Sequence, residues 1–179
     1  MSELFDLSGR VAIVTGTSRG LGQYFARALA KAGADLVLTS RNRETLGSFE
    51  AEMKALGRRT LSLELDVRDQ KSIQQMASAA HDAFGRLDVL VNNAGCNVRK
   101  PALDVTWDDW NLILDTNLRG SFFVAQAVAR FMAPRNYGRI INNIEAQNAR
   151  PFIATIFHLA LRESSPINSL PERGPLTHP

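Results

Sequence analysis

Residues 11–22 read VAIVTGTSRGLG. The first five, VAIVT, are apolar and rich in β-branched side chains, and predict a buried strand. Gly16 ends that run and two more glycines follow at 20 and 22. Leu21, Phe25, Ala28, Leu29 and Ala32 then recur at helical spacing until Gly33 closes the pattern. Gly16 lets the chain turn sharply off the strand, Gly20 lets backbone approach a pyrophosphate, and Gly22 lets the helix pack closely on the sheet. The helix N-terminus would offer free N–H groups and its positive dipole end to phosphates. Gly16, Thr17, Ser18, Arg19, Gly20, Leu21 and Gly22 are therefore the candidate phosphate-binding turn. The competing reading is a glycine-rich loop without a ligand; its place between strand and helix favours binding.

The alternation continues outward from this turn. Residues 36–39 (LVLT) predict a second strand. Leu46, Phe49, Met53 and Leu56 then form one helix face, with Asn42 as N-cap and Gly57 as stop. Residues 61–65 (LSLEL) and 87–91 (LDVLV) are the third and fourth strands. Between them Ile73, Met76, Ala77, Ala80 and Phe84 stripe a helix that ends at Gly85. Thr106-Trp107-Asp108-Asp109 reads as a capping box, opening a helix with Trp107, Trp110 and Ile113. Residues 120–132 predict a long apolar helix and 139–142 (RIIN) a fifth strand. Strands alternating with helices predict an α/β fold, a doubly wound parallel sheet of Rossmann type.

Composition bounds the function classes. With 179 residues, 45% hydrophobic and 22% charged, the chain is too apolar for a disordered segment and sized for one ordinary domain. Its net charge of +3 comes without a block of like charges, which argues against nucleic-acid and membrane-surface partners. One cysteine, Cys96, excludes an internal disulfide framework and fits a reducing compartment. Residues 1–10 lack the basic and apolar regions of a signal peptide, and no apolar run is long enough to span a bilayer. A cytoplasmic location is expected.

Past residue 145 the pattern breaks. Five of the seven prolines (151, 166, 171, 175 and 179) and two of the three histidines fall there. Residues 152–161 hold an apolar run, but 164–179 reads as a proline-broken tail. The expected organisation is a nucleotide-binding domain over 1–144 and an atypical tail over 145–179.

The glycine spacing is G-x-x-x-G-x-G, not the common G-x-G-x-x-G. It resembles the T-G-x-x-x-G-x-G signature of the short-chain dehydrogenase/reductase family. Three further motifs carry the resemblance over residues 5–142. Asp66-Val67 follows the third strand, where the family contacts the adenine ring. Asn92-Asn93-Ala94-Gly95 is similar to the family's N-N-A-G, which steadies the sheet and borders the cofactor, so Asn93, Ala94 and Gly95 join the candidate site. Asn117, in Thr116-Asn117-Leu118-Arg119-Gly120, matches the family asparagine whose main chain orders a catalytic water. The resemblance implies hydride transfer between a nicotinamide cofactor and a carbonyl or hydroxyl group of a small-molecule substrate.

Which nicotinamide cofactor depends on the end of the second strand. An acidic residue there would bind a ribose 2′-OH and repel a 2′-phosphate. The chain has Thr39-Ser40-Arg41-Asn42 instead. Arg41 can make a paired, charge-assisted contact to a phosphate, and Arg19 could reach the same group from the glycine turn. NADP is expected in preference to NAD.

The family's serine, tyrosine and lysine should fall at 145, 158 and 162, within a segment resembling G-R-I-I-N-I-x-S and then Y-x-x-x-K. The chain has Glu145, His158 and Arg162, with no tyrosine after Tyr137 and no lysine after Lys100. In one reading these are a replacement set: His158 is the acid/base, since imidazole titrates near neutrality, and Arg162 the fixed cation. Glu145 would then stand where a hydrogen-bond donor is wanted. In the other, the family sequence ends near Asn142 and a non-family tail follows, as a frame change or alternative end would produce. Proline enrichment and lost periodicity favour the second. The family's C-terminal strands and helices are then expected to be missing from a truncated chain. The fifth strand would be an open edge, and Phe122, Phe123, Val124 and Phe131 would form an exposed apolar patch. The family helix at 120–132 commonly helps build a homo-oligomer interface, and that expectation weakens with its neighbours gone.

The remaining signals are smaller. Residues 96–101 (CNVRKP) resemble the gluconate 5-dehydrogenase branch, with the 3-oxoacyl-carrier-protein reductase branch close behind. Arg99 could engage a substrate carboxylate, although a solvated loop arginine is the plainer reading. Cys96 reads as a packed residue, Trp107 and Trp110 as core or interface, and His81 as lying on the polar side of its helix. No metal is expected. The two function classes left are an NADP-dependent oxidoreductase and a non-catalytic nucleotide-binding remnant or interaction module.

Overall fold

The computed structural model describes residues 6–143, in which five strands alternate with five α-helices. In chain order these are β1 (Val11–Val14), α1 (Leu21–Lys31), β2 (Asp35–Ser40), α2 (Gly47–Ala55), β3 (Thr60–Glu64) and α3 (Gln70–Phe84). They are followed by β4 (Val89–Asn92), α4 (Trp107–Leu114), α5 (Ser121–Met132) and β5 (Arg139–Asn142). The strands are all parallel, in the order β3-β2-β1-β4-β5. This is the doubly wound fold expected from the alternation. Its winding reverses between β1 and β4, and ligands of such sheets bind in the crevice beyond the strand ends there.

Burial on both faces explains why the central strands are apolar without a break. In β1, Val11 and Ile13 face a core shared with Val37, Leu90 and the inner sides of α3 and α5. Ala12 and Val14 face a second core with Leu36, Leu38, Val89, Val91 and residues from α1 and α2. The helix α5 packs on α3 through Val124, Ala125, Val128 and Met132, all buried. Val124 therefore leaves the expected exposed patch, because α3 covers it. Phe131 is partly buried, while Phe122 and Phe123 are exposed. At the edge of the described sheet, β5 leaves Ile141 half exposed.

Four other local expectations change. Asn42 caps a 3₁₀ turn (Arg43–Leu46), its side chain accepting the Glu44 N–H at 2.9 Å, and α2 begins only at Gly47. Leu56 falls after the last residue of α2 and is exposed, so it leaves the apolar face. His81 is only partly solvated: its ring stacks on Phe131 of α5, centroids 4.5 Å apart. Trp107 and Trp110 are not core, being 80% and 54% exposed on α4, a helix with no buried residue. What holds α4 is its first turn. Thr106 and Asp109 form the expected capping box, and Lys100 adds an ion pair to Asp109 at 2.6 Å. The Lys100 hydrogen bond, with those from the Thr106 N–H and hydroxyl, holds the Asp109 carboxyl down at about 2.

At the N-terminal ends of β1 and β4 lies a residue to which sequence reasoning assigned no role. Asp88 is fully buried. Arg86 meets both its oxygens at 2.6 Å, the Val11 N–H donates at 2.9 Å, and Arg10 and Arg135 stand at 3.5 and 3.7 Å. Burial by itself would raise its pKa. The Arg86 hydrogen bonds, the Val11 N–H and the nearby guanidinium charges outweigh that and hold it below the ordinary carboxylate range.

The expected boundary at residue 144 and the tail 145–179 lie outside the described residues. Among the described residues, no helix is long and apolar enough to cross a membrane, and no group of His, Cys, Asp or Glu is placed to hold a metal ion.

Candidate functional site

The crevice at the switch point is built from the ends of β1 and β4. Thr15, buried just past β1, accepts the N–H groups of Asn93 and Ala94 on its hydroxyl oxygen, each at 2.9 Å. In return the Asn93 side-chain amide donates to the carbonyls of Thr15 and Gly16, at 2.9 and 3.1 Å. The glycine turn is thus tied to the N-N-A-G segment by four hydrogen bonds across the two central strands.

This contact leaves no room for side chains. Gly16 has φ +70°, and a Cβ there would come within 2.9 Å of the Ala94 Cα. A Cβ on Gly22 would strike the Gly16 carbonyl and lie 2.7 Å from the Asn93 amide nitrogen. The first turn of α1 is therefore pressed directly onto the loop that precedes it.

Gly20 differs, since nothing stands within 4 Å of where its Cβ would be. It is the N-cap of α1, with φ +64° and no side-chain cap hydrogen bond. Helix N-termini carry N–H donors without internal partners, and here no side chain takes them up. An open, side-chain-free cradle of donors fits a pyrophosphate. Thr17 turns inward instead: its N–H and hydroxyl both donate to the Thr39 carbonyl, at 2.9 and 3.2 Å, which anchors the loop to β2. Ser18, Arg19, Gly20 and Leu21 are the exposed part of the turn.

Arg41 is exposed immediately after β2, and among the described residues neither it nor Arg19 is held in an ion pair. Asp66, following β3, accepts the Arg68 N–H at 2.9 Å and its guanidinium at 3.2 and 3.4 Å. Burial would raise the Asp66 pKa; the Arg68 hydrogen bonds and the charges of Arg68 and Arg41 outweigh it and lower it. Arg41 and Asp66 thus share one corner of the crevice. Val67 is buried, with its carbonyl 2.8 Å from where a Cβ of Gly120 would sit.

Asn117 lies in a π-helical turn, Asp115–Gly120, that joins α4 to α5. Its side chain grips the backbone of Cys96: Oδ1 accepts the Cys96 N–H at 2.8 Å, and Nδ2 donates to the Cys96 carbonyl at 2.9 Å. The amide thus holds the loop after Gly95, and π-turns of this kind recur at functional sites. Cys96 is half-buried, its Sγ 3.6 Å from the Leu112 carbonyl, in keeping with a packed residue. Arg99 is exposed. Glu145, His158 and Arg162 lie outside the described residues.

Sequence reasoning placed Asn92 in the N-N-A-G motif but gave no role to Asn142 and Asn143, which close the network. Asn92 and Asn142 are register partners on β4 and β5, and the Asn92 amide donates to Asn142 Oδ1 at 3.0 Å and to the Ser121 carbonyl at 3.1 Å. One step on, the Asn143 N–H donates to the Asn92 carbonyl at 2.8 Å and its side chain to Asn93 Oδ1 at 3.0 Å. The available signal was the repeated Asn-Asn at the ends of two predicted strands.

A family model described as short chain dehydrogenase matches residues 10–154. The chain belongs to the short-chain dehydrogenase family. Among individual relatives, gluconate 5-dehydrogenase of Gluconobacter oxydans is 42% identical over 154 residues, which is 85% of this chain and 60% of that protein. A 3-oxoacyl-[acyl-carrier-protein] reductase of Synechocystis is 36% identical over 137 residues, covering 76% of this chain and 56% of that one. The crystal structure of a gluconate 5-dehydrogenase from Burkholderia cenocepacia, in complex with NADP and tartrate, superposes with a TM-score of 0.75 at 39% identity. That match covers 84% of this chain and 60% of the other. This short-chain dehydrogenase chain therefore spans about 60% of the length of such relatives. The family match includes position 145 and stops before 158 and 162.

Proposed function

We propose that this chain is the NADP-binding part of a short-chain dehydrogenase acting on a sugar acid. The observation that carries this reading is the uncapped, side-chain-free turn at Gly20, with Arg19 and Arg41 held in no ion pair among the described residues and no acid at the end of β2. Backbone donors of Gly16, Gly20, Leu21 and Gly22 would hold the pyrophosphate. Arg19 and Arg41 would hold the 2′-phosphate, Asp66 and Val67 the adenine, and Asn93, Ala94 and Gly95 would border the ribose of the nicotinamide end. The nicotinamide, when bound, supplies the hydride chemistry. Asn117, through its grip on Cys96, fixes the loop that would face the substrate. The sugar-acid class is supported by the gluconate relatives, which are more similar than the acyl-carrier reductase.

A second reading is favoured by one observation: Glu145, His158 and Arg162 stand where the family's serine, tyrosine and lysine are expected. In that reading the chain binds the nucleotide without turning it over.

Titration of the full chain with NADP and NAD, followed by calorimetry, tests the first part. NADP binds about tenfold tighter than NAD or better, and Arg41→Ala removes most of that preference, as loss of a charge-assisted phosphate contact should. Equal affinities for the two cofactors in the unmodified chain overturn the assignment. Adding gluconate with NADP and following nicotinamide absorbance separates the readings: turnover lost in His158→Ala supports an enzyme, and tight binding without turnover supports the second reading.

A further inference from the structure

We infer that Asn143 is a positioning residue for the nucleotide cradle, acting through Asn93; this rests on the nucleotide-binding reading above. The Asn93 amide sits in the wedge between the glycine loop and the start of α1. Both hydrogens of its nitrogen are used, on the Thr15 and Gly16 carbonyls, and the missing Cβ of Gly22 would lie 2.7 Å from the same nitrogen. Its oxygen accepts from Asn143 Nδ2 at 3.0 Å. With that bond both N–H groups and the oxygen of the Asn93 amide are engaged, so its orientation is determined from both sides.

Asn143 is itself held, because its N–H donates to the Asn92 carbonyl at 2.8 Å, continuing the β4–β5 ladder past Asn142. A rigid path thus runs from the end of β5, through two amides, to the Gly16 carbonyl and the first turn of α1. The Asn143–Asn93 bond closes that path. Without it, Asn93 Oδ1 loses its partner in a half-buried position, the amide loosens, and the donors of the cradle are less well placed for a pyrophosphate.

The test is NADP affinity of the full chain, measured by calorimetry beside a thermal melt. Asn143→Ala weakens NADP binding about three- to tenfold, the usual consequence of one lost hydrogen bond with its partner left unpaired. Asn143→Leu, which keeps the volume without the donor, weakens it similarly and serves should the alanine variant not fold. Asn93→Ala weakens binding at least as much, and adding Asn143→Ala to it changes affinity no further, because the two act through one amide. A melting temperature that falls while affinity stays that of the unmodified chain assigns a structural role only and overturns the inference, as does strict additivity in the double variant. If the unmodified chain ignores NADP, the nucleotide reading falls and this inference with it. If it binds NADP and Asn143→Ala binds equally well, this inference alone falls.

Discussion

The two ends of the central strands are built from opposite chemistry. At the N-terminal end a buried carboxylate, Asp88, is surrounded by Arg10, Arg86 and Arg135 within 4 Å and pinned by the Val11 N–H. At the C-terminal end the same strands finish in a hydroxyl, side-chain amides and glycines, joined by neutral hydrogen bonds of about 3 Å. The charged end is closed around its own counter-ions. The neutral end satisfies its internal carbonyls but leaves the helix start at Gly20 open and uncapped. On the proposed reading stability and recognition are separated along one sheet, so substitutions at the two ends should differ in kind.

The largest effect is expected at the charged end. Asp88→Ala leaves three partly buried guanidinium groups without their shared counter-charge, and should cost about 3–5 kcal/mol of stability, as removal of one partner from a buried pair does. Measured below its melting point, this variant should bind NADP as the unmodified chain does; a large loss of affinity would mean that the two ends are not independent. The sign of the pH dependence follows from the lowered Asp88 pKa. An unfolded Asp takes up a proton near its ordinary value of 3.8 and the folded one only below it. Its contribution is thus full above about pH 4 and is lost as pH falls through the lower, folded value. Denaturant melts across acidic pH should show a shallower acid limb in Asp88→Asn.

A smaller loss of stability with a larger loss of function is expected at the neutral end. Gly22→Ala places a methyl against the Gly16 carbonyl and the Asn93 amide, and should cost about 1–3 kcal/mol from overpacking. Because that methyl displaces the cradle, NADP affinity should fall more than tenfold, well beyond the effect of Asn143→Ala. A Gly22→Ala chain that keeps full affinity would break the contrast between the two ends.

The smallest effect lies at α4, outside both ends. The Asp109 carboxyl, lowered to about 2 by Lys100 and the capping box, should titrate with a midpoint near that value by NMR. The cap is then complete above about pH 4 and is released as pH falls through about 2. A midpoint near the ordinary 3.8 would mean that Lys100 and Thr106 do not hold it.

The fold was legible because its signals are local. A β-branched run, a glycine turn and a 3.6-residue stripe each span fewer than about 20 residues, and all five strands fall within a residue or two of their expected places. The glycines of the turn between β1 and α1 were readable for the same reason. Trp107 and Trp110 are not core and His81 stacks on Phe131, neither of which was legible, because an apolar or polar residue type does not say which neighbour will cover it. Phe131, on which His81 stacks, lies 50 positions further along.

Strand and helix alternation, the glycine turn and the basic end of β2 were thus set within short stretches of chain, where backbone sterics and side-chain periodicity leave few choices. The links of Asp88 to Arg10 and Val11, and the amide relay from Asn143 through Asn93 to Gly16, join residues separated by 50 to 78 positions. Only parallel pairing of β1, β4 and β5 brings those groups within hydrogen-bonding distance. Periodicity says that a strand is buried, but not which strand lies beside it or in which register, and hydrogen bonds of this length tolerate no error in either.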